Sequence, residues 1–462
     1  MLNKIFNWLD GHRDELISYL GELVSIPSVS QRMDSEETPY GAECRRVLDR
    51  FLSDGERFGF ETQNCRNRVG RVTMTGGTGG GIGVWTHLDV VPPMDGWDSD
   101  PFTVVEKDGL LFGRGVLDDK GAAAGVMFIL RAFRELGVEF RCPVSLFVGT
   151  DEEQGMSDVE DYVNHFPLPD FNLVPDADFP GIRGEAGRMI FCLTPKAKLS
   201  DDIVRIEGGT VHNIIPKYAT CEIKKTDSLD LSALENVTVR DTGDTVIISA
   251  LGKPSHVAQP EGSVNAIYVL TSALEKLGGI SDGDRAIFRA LSQVNSSYYG
   301  DGLGIQGEDE LCGKTVCSGT VLTMEDGRPI LLCDSRFNLS DNTQRLTAII
   351  ENWTAENGFT VDFDERKEPF LNTDEERLNV LLEAYKKATG AENADFVVIK
   401  GGTYAGMLPN AIATGVVDET VCDVTKLLPE GQGGCHQPNE AVSVEAYMRG
   451  MKILAAMLYR LR

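Results

Sequence analysis

Basic residues are scarce in this chain: 44 Lys and Arg stand against 71 Asp and Glu, a formal net charge of −27 over 462 residues. That deficit disfavours nucleic acid and anionic membranes as partners, because their phosphates reward Lys and Arg. Long apolar runs are also missing, and none approaches the ~20 residues that a membrane span needs. The stretch from Met1 to Ser30 has apolar residues at helical spacing with acids between them. It reads as an amphipathic helix and not as a secretion signal. Ten cysteines are scattered without a Cys-x-x-Cys pair. Cys312 and Cys317 could form a disulfide or half a zinc site, but two thiols are too few for a closed site, so reduced thiols in a cytoplasmic protein are expected. The glycine-rich run Gly76–Gly83 lacks the Gly-Lys-Ser/Thr ending of a phosphate loop and reads as a turn into a strand.

Histidine is scarcer still, with six residues. His12 and His165 look like surface residues, and His212 matches no motif. His87 and His436 stand in a different context. His87 lies in "THLDVV" (Thr86 to Val91), followed along the chain by "GRGVLDDKG" (Gly113 to Gly121), "GTDEEQG" (Gly149 to Gly155) and "PDAD" (Pro175 to Asp178). His436 lies in "GCHQPNE", far downstream. Mixed imidazole and carboxylate sets suit borderline ions such as zinc better than calcium or magnesium. His87 and Asp89 are two apart, so on a strand they share a face, and Asp89 could orient the imidazole. In "DEE" adjacent side chains point different ways, so one carboxylate can hold metal while the other faces an attacking water.

The ordered set resembles the M20 family of metallopeptidases over nearly the whole chain, with its closest likeness to the PepV-type dipeptidase branch. The resemblance implies two zinc ions, or manganese or cobalt in their place. It makes Glu152 the general base and Asp89 the residue behind His87. It assigns His87, Asp118 and Asp176 to one ion and Asp118, Glu153 and His436 to the other, Asp118 bridging. It also implies a cis peptide between Asp118 and Asp119. Asp119 itself reads as the cap of the small-residue helix that begins at Lys120.

Strand and helix signals alternate through the first part of the chain, as in an α/β sheet whose ligands gather at strand ends. The expected architecture is therefore an α/β, mixed-sheet zinc-peptidase catalytic domain, residues 1–186 and 370–462. It is interrupted by an inserted α+β lid, residues 187–369, which the resemblance implies is doubled within one chain. A catalytically complete monomer follows. Within the lid, Asn213, His256 and Arg336 resemble substrate contacts: His256 could stabilise an oxyanion and Arg336 could grip a terminal carboxylate. Gly401, Gly402 and Thr403 could offer backbone amides to the same carboxylate. The expected partner is a small peptide, with dipeptide hydrolysis the leading activity. An M20 deacylase acting on N-acyl or N-succinyl amino acids, and a non-catalytic metal- or peptide-binding protein, remain alternatives.

Overall fold

The computed structural model describes residues 1–462. Contacts divide the chain into two compact units: Met1–Gly184, Asn372–Val397 and Gly402–Arg462 form the first, Glu185–Leu371 and Val398–Gly401 the second.

The sheet of the first unit is mixed. Its strands run in the order Glu61–Cys65, Val69–Met74, Val144–Gly149, Ile82–His87, Phe171–Val174, Ala411–Ala413 and Ile182–Glu185. Ile82–His87 pairs in parallel with both Val144–Gly149 and Phe171–Val174, whereas Val69–Met74 meets Val144–Gly149 antiparallel. Every residue of Ile82–His87 and of Val144–Gly149 is buried, as befits strands paired on both sides within a parallel stretch of sheet. The parallel register sets His87 opposite Gly149. The "HLD" and "DEE" motifs thus leave the sheet side by side at its carboxyl edge. Phe171–Val174 ends one residue before "PDAD", bringing Asp176 to that edge.

The helix Lys120–Glu135 is buried continuously from Lys120 to Phe133. A helix apolar on all faces belongs inside a protein, and this one packs against the sheet and against the helices Leu2–Gly11, Arg13–Val24 and Val444–Arg460. Its small first turn permits that approach. A Cβ on Gly121 would stand 2.1 Å from the Val116 carbonyl oxygen, and the Tyr447 hydroxyl donates to the Gly121 carbonyl at 2.6 Å. Burial of Phe128 and Phe133 contributes about 1.5–3 kcal/mol each.

The amino-terminal segment departs from the single helix expected of it. It forms two helices, Leu2–Gly11 and Arg13–Val24, broken at His12, whose ring stacks on Trp8 with centroids 3.7 Å apart. Gly11 just before the break and the His12–Trp8 contact account for the kink, because both helices still bury an apolar face. A later helix spans Glu375–Thr389, with Asp374 accepting from the Arg377 amide and Gly390 closing it at φ 78°.

The second unit carries an antiparallel sheet of 8 strands ordered Val237–Asp241, Thr245–Leu251, Tyr218–Lys224, Ile203–Gly208, Val316–Glu325, Arg328–Phe337, Gly187–Pro195 and Phe359–Lys367. The stretch "TVRDTGDTVIISALG" lies in a hairpin of the first two of these, turning at Thr242–Asp244. The helices Ala266–Lys276, Asp282–Val294 and Thr343–Asn357 bury their apolar residues in the same core as the sheet. The two halves of four strands meet at one register pair, Gly208 with Leu322. No disulfide forms, Cys312 and Cys317 included. No helix is long and apolar enough to cross a membrane.

Candidate active site

His87 closes its strand and is 1 % exposed. Its Nε2 lies 3.1 Å from Asp118 Oδ1 and 3.9 Å from Asp176 Oδ2. Its Nδ1 lies 3.0 Å from the Asp89 carbonyl oxygen, which accepts the Nδ1 proton and turns Nε2 toward the acids. His436, at φ 63°, reaches the same place from the far end of the sequence. Its Nε2 stands 3.1 Å from Asp118 Oδ2 and 3.1 Å from Glu153 Oε2. Asp118 therefore presents one oxygen to each imidazole. His87, Asp118 and Asp176 form one cluster and Asp118, Glu153 and His436 a second, the ligand atoms of each lying within 4.8 Å of one another.

Negative charge is concentrated here beyond what the protein itself neutralises. The ion-pair partners of Asp118, Asp176 and Glu153 are the two histidines. Burial, followed by the Asp118 carboxylate, pushes the Asp176 pKa up to about 8. Burial also raises Glu152 well above the ordinary range, with Asp176 and Glu153 adding to it against the opposing effect of His87. Asp118 goes the other way: burial disfavours its charge, but hydrogen bonds from His436 and His87 more than offset that. His436 is raised to about 10 by its hydrogen bonds to Asp118 and Glu153. Glu153 Oε1 is buried with no hydrogen-bond partner. An orphaned buried carboxylate oxygen, beside two imidazoles and two further acids, is what a pair of borderline divalent cations would satisfy. The residues fit such ions.

The comparisons agree with this chemistry. The family model for the peptidase family M20/M25/M40 matches residues 83–460. The chain belongs to the M20 peptidase family. This M20 chain is 27 % identical over 472 residues to the Beta-Ala-Xaa dipeptidase of Lactobacillus delbrueckii subsp. lactis, covering 98 % of the one and 97 % of the other. Among solved structures, it shares the fold of the aminoacylhistidine dipeptidase from Vibrio alginolyticus, at a TM-score of 0.58 and 13 % identity over 96 % of each chain. It shares it too with human carnosine dipeptidase 1, at a TM-score of 0.56 and 17 % identity over 100 % of this chain and 98 % of that one.

Several residues of this M20 peptidase hold the cluster in place, and sequence reading gave them a different role or none. The Asp89 carboxylate approaches His87 Nδ1 at 3.4 Å, but its two oxygens accept the amides of Glu152 at 3.2 Å and Glu153 at 3.1 Å. Asp89 thus ties the "DEE" loop to the His87 strand. Asp119 does not cap the following helix: no side-chain cap bond exists there, and its carboxylate accepts the His87 amide at 3.1 Å instead. The Asp118–Asp119 peptide is cis, as expected. Glu440, the last residue of "HQPNE", is fully buried. Its Oε1 accepts the amides of Gly115, Leu117 and Asp118 at 3.0, 2.9 and 3.2 Å, and Arg114 Nη1 donates to its Oε2 at 2.6 Å. Buried Lys120 donates to the carbonyls of Leu23 and Ile26 at 3.0 and 2.7 Å. Asp158 Oδ2 takes the Thr150 and Asp151 amides and the Tyr404 hydroxyl.

The residues expected on the insertion gather on the second unit. Ile214, which follows Asn213, bridges to His256, and the Asn213 carbonyl accepts the Val257 amide at 2.9 Å. His256 Nδ1 accepts the Ala258 amide at 3.1 Å, so its proton resides on Nε2. Burial and the nearby Arg336 lower its pKa, keeping the ring neutral. Arg336 is less free than expected: Nε and Nη2 donate to the two oxygens of Asp334 at 2.7 and 2.8 Å, and Nη1 to the Lys400 carbonyl at 3.3 Å. His212, without a motif in the sequence, lies 3.4 Å from the same Asp334. Gly401 belongs to the second unit and Gly402 and Thr403 to the first. Thr403 Oγ1 accepts the Ala405 amide at 3.1 Å.

Proposed function

We propose that this M20 peptidase hydrolyses dipeptides with two bound divalent ions and Glu152 as the general base. The observation that carries the reading is the disposition of Asp118, whose two oxygens face two different histidines, each in its own cluster. His87, Asp118 and Asp176 would hold one ion, and Asp118, Glu153 and His436 the other. Zinc suits the mixed donor set, and manganese or cobalt would accept it. When bound, the ions supply Lewis acidity toward water and the peptide carbonyl.

The chain's own groups do the rest. Glu152 takes a proton from the attacking water as the new C–O bond forms, and returns it to the amine as the C–N bond breaks. A carboxylate whose proton affinity is raised by burial is suited to both halves of that exchange. Asp89 fixes the Glu152 amide against the His87 strand, so base and ligand keep a constant separation. Asn213, His256 and Arg336 are the candidate substrate contacts of the second unit, His256 as a neutral Nε2–H donor. The reading takes the monomer as the working enzyme.

The test is Glu152→Gln. It is expected to retain both ions in elemental analysis while dipeptide hydrolysis falls at least 10²-fold. Substantial turnover by the metal-loaded variant would refute the base assignment, and cleavage of N-acyl amino acids in place of dipeptides would refute the substrate class.

A further inference from the structure

The two glutamates of the "DEE" motif sit in a tight turn, and one side chain from a distant part of the sequence holds that turn on both flanks. Arg32 Nε donates to Asp151 Oδ2 at 3.1 Å, and Arg32 Nη2 donates to the Gln154 carbonyl at 2.8 Å. Glu152 and Glu153 are the residues between those two acceptors. Within the turn, the Gly155 amide donates to the Glu152 carbonyl at 3.2 Å and the Met156 amide to the Asp151 carbonyl at 2.8 Å. Gly155, at φ 107°, leaves room for the guanidinium, since a Cβ there would stand 3.1 Å from Nη2.

Both partners are anchored. Asp151 is fully buried; Ser30 Oγ donates to its Oδ1 at 2.7 Å and Ser157 Oγ to its Oδ2 at 2.6 Å. Arg32 leaves a folded-back segment between the helices Arg13–Val24 and Ala42–Arg57, in which the flanking Gln31 and Met33 amides donate to the Tyr40 and Pro39 carbonyls at 3.2 and 2.8 Å. The same segment is tied to the chain after His87: the Val90 amide donates to the Ser28 carbonyl at 3.0 Å, and Ser28 Oγ to the Leu88 carbonyl at 2.6 Å. All these residues belong to the first unit.

An ion pair between two mobile exposed groups contributes little. This pair differs, because its acceptor is immobile and Arg32 is the one cation paired with it. The planar fork of a guanidinium also fixes a direction, which a point charge does not. We propose that Arg32 is a positioning residue of the reaction, a clamp that sets the Glu152 and Glu153 side chains by gripping the turn at Asp151 and Gln154. Asp89 takes the two amides between those grips. The inference rests on the dipeptidase reading, in which Glu152 is the base and Glu153 a ligand. Arg32 itself touches no reacting group.

The test uses Arg32→Ala and Arg32→Lys, both metal-loaded, with melting temperatures to establish that each is folded. Arg32 lines an open cavity of about 370 Å3, so the truncated variant leaves a path by which free guanidinium can enter. In Arg32→Ala, kcat for a dipeptide is expected to fall about 10²-fold with KM changed less than about twofold. Millimolar guanidinium chloride should restore about tenfold of the loss, while methylammonium at equal concentration and Arg32→Lys should restore little. Amide exchange at Glu152, Glu153 and Met156 should quicken about tenfold in Arg32→Ala and slow again with guanidinium. Wild-type kcat in either variant, a loss confined to KM, a loss that guanidinium leaves unchanged, or unaltered exchange at those amides would overturn the proposal. A wild type that cleaves no dipeptide would instead sink the dipeptidase reading and the catalytic role with it, whereas exchange would still report whether the clamp holds the turn.

Discussion

Glu440 offers the sharpest test of how this site is held. Glu440→Gln preserves shape, and the amide oxygen can still accept from Gly115, Leu117 and Asp118. What changes is the face toward Arg114, where an NH2 group now meets a guanidinium that is 1 % exposed. Breaking a buried pair by removing one partner costs about 3–5 kcal/mol, because the remaining charge is left uncompensated. Glu440→Ala adds three amides without an acceptor, at about 1–3 kcal/mol for each that water cannot reach. Burial and Asp118, against Arg114, push the Glu440 pKa up to about 7, so the measurement belongs at pH 8, where the carboxylate is ionised. Hydrogen exchange at the Gly115, Leu117 and Asp118 amides reads the local opening directly. A cost of about 4 kcal/mol is about a 10³-fold loss of protection at 1.36 kcal/mol per decade, and the Ala variant should lose more. The double variant Arg114→Met/Glu440→Gln should recover most of the loss. Protection in Glu440→Gln within fivefold of the wild type would refute the reasoning, since the pair would then contribute little.

Two other perturbations follow from the same geometry. Burial lowers the Lys120 pKa from 10.5 to about 7, so protonation costs the folded state as pH falls from about 10 to 7. Wild-type stability should therefore rise relative to Lys120→Met between pH 7 and pH 10 in urea denaturation, and parallel curves would show that the shift is absent. A methyl group at Gly149 would lie 2.0 Å from the Tyr404 hydroxyl and 2.3 Å from Asp158 Oδ2, so Gly149→Ala must break their bond or move the strand. A loss of about 3 kcal/mol is expected from overpacking and the lost hydrogen bond. That is roughly 6–12 °C in melting temperature for a unit of this size, and a drop under 2 °C would contradict it.

The parts of the site visible in sequence are those whose chemistry is written locally. His87, Asp118, Glu153, Asp176 and His436 each sit in a short motif, and the parallel strand register brings most of those motifs to one edge. The supporting groups left no comparable trace. Glu440 meets Arg114 across 326 residues, and Asp89 meets the Glu152 amide across 63. Nothing in "HQPNE" announces that its last residue is buried against a loop three hundred positions earlier. Asp119 misled for a related reason: an aspartate before a helix has a local use as a cap, and a buried backbone amide from another strand outcompeted it. The break at His12 was hidden because both helices keep the same apolar periodicity. The engagement of Arg336 by Asp334 was equally hidden, although the two are only two residues apart along one strand.

The distance along the chain between the two imidazoles has a consequence for biosynthesis. At about 5–20 residues per second, the 349 residues from His87 to His436 (436 − 87) take roughly 17–70 seconds to synthesise. For most of that interval, from Asp176 onward, Asp118, Glu153 and Asp176 have been made without the second histidine, and the helix Lys120–Glu135 lacks Val444–Arg460, one of the helices that cover it. The second unit has no such wait, since nearly all of it is one continuous stretch, Glu185–Leu371, with its own core. The nascent chain thus carries a completed second unit while the first still lacks its second imidazole, so under the proposed two-ion reading an ion captured early would meet the His87 cluster alone.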